Sequence, residues 1–132
     1  MTPTHEFVEG LARTDARLAE LLAEHKRDND GTLPHVFMGD VARLTGDLAR
    51  RGGSDEAALD AILAIIESAL TSGVADVQEL ATVSFLENLH QTGDAYAKIA
   101  GRLGPRSRRA LDVVERVGNG SVIRAASRSR DR

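Results

Sequence analysis

The sequence predicts an all-α fold, a single-domain bundle or short solenoid-like stack of about six helices, and three observations carry that prediction. Apolar residues recur at steps of three and four along most of the chain, as they do when one stripe of a helix is buried. No stretch shows the sustained alternation of a half-buried strand. Clusters of Gly, Pro, Asn and Asp interrupt the pattern, and the short connections they imply favour antiparallel helix pairs. No clear repeat at solenoid spacing is present, which favours the bundle.

The first helix is expected from Pro3 to about Arg27, with Phe7, Leu11, Leu18, Leu21, Leu22 and His25 on one stripe. "DNDG" at 28–31 is turn chemistry, because Asn and Asp bond locally and Gly accepts positive φ. A second helix starts at Thr32 to His35, with Thr32 as cap and Pro34 in the first turn. It buries Phe37, Val41, Leu44 and Leu48 and ends at "RRGG". Ser54 is expected to cap the third helix, with Asp55 and Glu56 at its positive end and Leu59, Ile62, Leu63, Ile66 and Leu70 buried.

The fourth helix, about 75–91, carries Val77, Leu80, Val83, Phe85, Leu86 and Leu89 on several sides and is expected to be the most enclosed. Gly93 breaks it, Asp94 caps a short fifth helix through Tyr96 and Ile99, and the "GP" at 104–105 opens a sixth with Leu111, Val114 and Val117. The helical domain is expected to span 1–118. Residues 119–132, small, polar and arginine-rich, are expected to form a flexible tail.

Charge divides along the chain. Residues 1–101 hold 8 basic and 17 acidic side chains, net −9, while 102–132 hold 9 Arg and 3 acids, net +6. The acidic body repels phosphates and favours basic protein partners, whereas the basic end attracts anions or an acidic neighbour. No apolar run approaches the roughly 18 residues of a membrane span. The start, "MTPTHEFVEG", shows no secretory signal pattern, and a cytoplasmic location is expected. With 0 Cys there is no disulfide, thiolate metal site or cysteine nucleophile.

"LPHVFMGD", 33–40, is the most unusual short stretch. Packing and helix initiation account for it, and its rim residues His35 and Asp40 are candidate binding groups, an imidazole beside a helix N-terminus being able to meet an anion. On the helical wheel Asp76, Glu79, Val83 and Glu87 lie within about 80° of one another, so three carboxylates share a face that suits Lys or Arg of a partner, or merely water. Ser84 and Asn88 form a polar i, i+4 pair among apolar neighbours. A structural hydrogen bond is expected of them rather than catalysis, as neither has an obvious activating base.

The 4 His, His5, His25, His35 and His90, lack metal-ligand spacing. No GxSxG, phosphate loop or dinucleotide fingerprint occurs, so no enzyme, cofactor or metal is expected. The arginines at 106, 108, 109 and 116, and beyond, offer phosphate contacts without stacking aromatics, which makes nucleic acid the weaker partner.

"LPHVFMGD" (33–40) and "DVQELATVSFLENL" (76–89) together resemble two motifs of a family of small, largely uncharacterised helical bacterial proteins, some of which resemble immunity proteins of polymorphic toxin systems. The resemblance covers roughly 30–110. It implies a cytoplasmic, non-catalytic protein that blocks a cognate toxin by binding it, and it carries over no catalytic residues. The residues that fit such binding to a basic toxin surface are His35, Asp40, Asp76, Glu79 and Glu87. The alternatives are a structural or regulatory helical module that self-associates, and a nucleic-acid adaptor using the basic C-terminus.

Overall fold

A computed structural model describes the backbone of residues 2–130 and the side-chain surroundings of residues 2–117. Within them the chain is a helical bundle around one core, to which Leu11, Leu18, Phe37, Met38, Val41, Leu59, Ile62, Ile66, Phe85, Leu89, Ile99 and Leu111 contribute fully buried side chains.

The expected first helix is two. α1 (Pro3–Ala12) stops, and α2 (Ala16–Asn29) starts afresh after Asp15, whose backbone is extended (φ −156°, ψ 139°). The Asp15 carboxylate accepts from the Arg17 N–H at 2.8 Å, the bond of an N-cap. α2 runs two residues past the expected end at Arg27, and only Asp30 (φ 53°) and Gly31 (φ 133°) of "DNDG" make the turn.

α3 (Pro34–Arg51) starts where expected but without Thr32 as its cap; Leu33 holds that position with no side-chain bond. Its end at Gly52 (φ 62°) agrees with "RRGG". Ser54 is not the next cap either. It lies exposed in a 3₁₀ turn, Gly53–Asp55, and α4 (Glu56–Leu70) follows directly. Asp55 instead joins Arg17 of α2 at 2.9 Å and Arg51 of α3 at 3.1 Å. These two cations, Arg17 first, hold its carboxyl below the usual range.

The segment expected as one α-helix over 75–91 changes pitch twice. α5 (Ala75–Glu79) widens into a π turn, Leu80–Leu86, and then tightens into 3₁₀ geometry over Glu87–Ala95, kinked at Gly93 (φ 62°, ψ −125°). Its inner side buries Val77, Leu80, Phe85, Leu86 and Leu89 as expected, but Val83 is 45% exposed. α6 (Tyr96–Gly101) has no side-chain cap; Asp94 points outward and meets Arg50 at 3.5 Å.

α7 spans Pro105–Arg130, and the expected arginine-rich tail, 119–132, lies outside the residues whose side chains are described. The start of α7 is capped from another helix. Glu67 of α4 accepts from the Arg106 and Ser107 N–H groups, both at 2.9 Å, and from the Ser107 hydroxyl at 2.8 Å. Desolvation raises the Glu67 carboxyl, but these donors outweigh it and hold the group below its ordinary value. Gly104 leaves room for it, since a Cβ there would lie 2.6 Å from the Glu67 carboxyl group and displace it.

Candidate functional site

The two motif segments meet. α3 and the segment 80–92 pack side by side with partners that advance together: His35 touches Ser84, Gly39 approaches Asn88, Gly46 approaches Thr92, and Arg50 donates to the Thr92 carbonyl at 2.7 Å. Two chain reversals, around α4, bring the second segment back in the direction of α3, so this pair is parallel although consecutive helices turn back on each other. Small residues permit the approach. A Cβ at Gly46 would fall 2.9 Å from Thr92 Cγ2, whereas one at Gly39 would make ordinary contact with Asn88 Nδ2 at 3.5 Å.

His35 Nδ1 hydrogen-bonds the Ser84 hydroxyl, and Asn88 Nδ2 donates to the Ser84 carbonyl at 2.6 Å. The sequence showed no base for Ser84, because His35 lies 49 positions away and nothing local announces the pairing. The serine is 5% exposed, enclosed between the helices, so the bond satisfies a buried hydroxyl rather than presenting a nucleophile to a substrate. Asn88 thus bonds the Ser84 backbone, while the Ser84 hydroxyl takes His35 as its partner, so the expected structural pair forms through the main chain and not between the two side chains.

On the α2 side of α3, a cleft of about 460 Å³ has His25 on its wall, with Glu24, Asp28, Asp40 and Asp47 and one arginine, Arg43. His25 is 3% exposed, packs edge-on against Phe37 at 5.6 Å, and accepts the Leu33 N–H at Nε2 (2.9 Å). The other ring nitrogen, Nδ1, lies 3.2 Å from the Asn29 side-chain amide nitrogen and 4.0 Å from the Asp40 carboxylate. This imidazole from α2 supplies at the entrance of α3 the tie that Thr32 does not.

The five candidate residues therefore separate. His35 is held in the seam by Ser84, and Asp40 turns to the cleft, where it pairs with Arg43. Asp76 is exposed in the first turn of α5. Glu79 and Glu87 are exposed on the outer side of the seam and flank Val83. Val36, 52% exposed, joins them from α3. It follows His35 by one residue and Val83 precedes Ser84 by one, which in two parallel right-handed helices turns both valines to the same side. The opposite side is the core, marked by fully buried Met38, Phe85 and Leu89. Val36 was not legible as an exposed anchor, since it neighbours a buried phenylalanine. Val83 had one signal, its place between two glutamates on the wheel.

Among the described residues no group of three or more His, Asp or Glu is placed to hold a metal ion, and no helix is long and apolar enough to cross a membrane. No curated protein and no solved structure matches the chain. One family model does match, over residues 8–117, a span that includes both motif segments and begins well before the roughly 30–110 that the motifs themselves cover. On that match the chain belongs to the family described as Domain of unknown function (DUF7674).

Proposed function

We propose that the protein is a non-catalytic binding module of the cytoplasm, an immunity protein that neutralises a cognate bacterial toxin by seating the outer face of the α3–π seam on a basic surface of that toxin. The observation that carries this reading is the composition of that face: Val36 and Val83 both exposed, with Glu79 and Glu87 flanking Val83 in sequence and Asp76 a turn away. Apolar anchors inside a charged rim are the arrangement of a protein interface, where the anchors supply affinity and the charges supply steering and exclude wrong partners. The enclosure of Ser84 supports binding over catalysis. A stable complex buries at least about 1,000 Å² in total, so this face is the centre of a larger contact.

The test is affinity capture with the intact protein and with an Asp76→Lys, Glu79→Lys, Glu87→Lys variant, at low and high salt, followed by co-expression of the captured protein with each form. A single partner that is lost with the variant, and whose toxicity only the intact protein relieves, supports the reading. Capture that ignores the three changes, or a partner that is not toxic, overturns it. A helical module that associates with itself is the second reading, and the exposed Val113 and Val117 on α7 favour it.

A further inference from the structure

α7 carries a face that mirrors the one just described. Arg106, Arg109, Val113, Arg116 and Val117 fall within about 100° on its wheel. Val113 is 49% and Val117 62% exposed, and the three arginines are exposed. The other side of the helix is the packed one, with Ser107 and Leu111 fully buried against α4 and the π turn. Among the described residues neither Arg109 nor Arg116 is in an ion pair, and neither is Glu79 or Glu87.

The two faces match in spacing as well as in sign. Glu79, Val83 and Glu87 place an apolar side chain midway between two anions, less than about 12 Å apart along the axis because the π turn rises less than the 1.5 Å per residue of an α-helix. Arg109, Val113 and Arg116 place one between two cations about 10.5 Å apart on the same rule. With Val83 packed on Val113, both glutamates come opposite an arginine. The same molecule cannot make this contact with itself, because α7 already lies with its buried side against the π turn and its basic stripe turned away.

We infer that a second copy of this chain is an occupant of the Glu79–Val83–Glu87 face, docking through the Arg109–Val113–Arg116 stripe of its α7. Exposed valines on both surfaces supply the apolar contact, and opposite charges set the register and reject a like face. The inference does not rest on the toxin-binding reading. Where both hold, the second copy and the basic partner compete for one face, and self-association keeps the face covered until the partner arrives.

The experiment is sedimentation velocity on the full chain alone, over a range of concentrations, at low salt and at about 0.5 M salt, where exposed charges are strongly screened. The wild type, Glu79→Lys/Glu87→Lys and Arg109→Glu/Arg116→Glu are run singly and as an equimolar mixture of the two variants. Circular dichroism confirms that each variant keeps its helices. The wild type is expected to associate reversibly and about tenfold less well at high salt. Each variant alone, carrying two like faces, is expected to stay monomeric, and the mixture to recover association because every contact is then complementary. A wild type that stays monomeric up to its solubility limit overturns the inference. So does association that the variants leave intact, or a mixture that fails to recover it. No toxin is present, so the toxin-binding reading stands or falls separately.

Discussion

His35 and Ser84, 49 positions apart, share a hydrogen bond that ties the first turn of α3 to the π turn. The hydroxyl it satisfies is buried while the imidazole is exposed, so removing the ring deletes the bond and opens Ser84 to water. His35→Ala and Ser84→Ala are each expected to lower stability by about 1 kcal/mol, the net contribution of one hydrogen bond. Urea denaturation of the two single variants and the double variant checks this. The double variant should resemble Ser84→Ala rather than the sum.

The glycines of α3 predict opposite outcomes. Gly46→Ala places its Cβ 2.9 Å from Thr92 Cγ2 and must push the seam apart, at a cost of about 1–3 kcal/mol. Thr92→Ser removes that methyl group but keeps the Cβ, 3.0 Å away, and is expected to recover only part of the loss. Gly39→Ala meets only ordinary contact and gains helix propensity, so its melting temperature should hold or rise. Thermal melts of the three variants separate close packing from glycine content as the cause.

At the α2–α3 loop, His25→Phe keeps a ring against Phe37 and deletes the acceptor for the Leu33 N–H. The orphaned donor is expected to cost about 1–3 kcal/mol. Amide exchange provides the specific readout: Leu33 should lose protection ahead of the α4 core, where a merely misfitting ring would loosen Phe37 and its neighbours first.

Glu67→Gln tests the cap that α4 lends to α7. The amide keeps the shape but loses the charge held by three donors, and about 1 kcal/mol of stability is expected to go with it near pH 7. Because the folded carboxyl sits below its ordinary value of 4.5, the wild-type advantage is complete above that value and declines as the pH falls through the folded one. Stability curves of the two proteins should therefore converge in acid. Parallel curves would mean that the charge is not what the donors recognise.

Strong periodicity made the stripes of α3 and α4 legible, because Phe37, Val41 and Leu48, and Leu59, Ile62 and Ile66, are buried in place on unbroken α geometry. The same periodicity hid the break at Asp15. Leu11 and Leu18 are seven apart, two turns of one helix, and stay in phase across a gap that the apolar pattern does not register. Caps were the least legible feature. Thr32, Ser54 and Asp94 have the right side chains, but tertiary groups took over or bypassed their roles: His25 at the entrance of α3, Arg17 and Arg51 around Asp55, and Arg50 on Asp94. Of the candidate site, the acidic stripe was visible on the wheel, whereas Val36 and the His35–Ser84 contact depend on which helices become neighbours.

The π turn has a consequence for phase. In an unbroken α-helix, positions spaced by four drift about 40° at each step, so Glu79, Val83 and Glu87 would wind progressively around the axis. A wider turn between Leu80 and Leu86 drifts the other way and opposes that winding, like a correction set into a vernier scale. Losing a single residue from that turn would restore ordinary pitch and rotate one half of the line against the other, leaving every side chain present and the surface they compose gone.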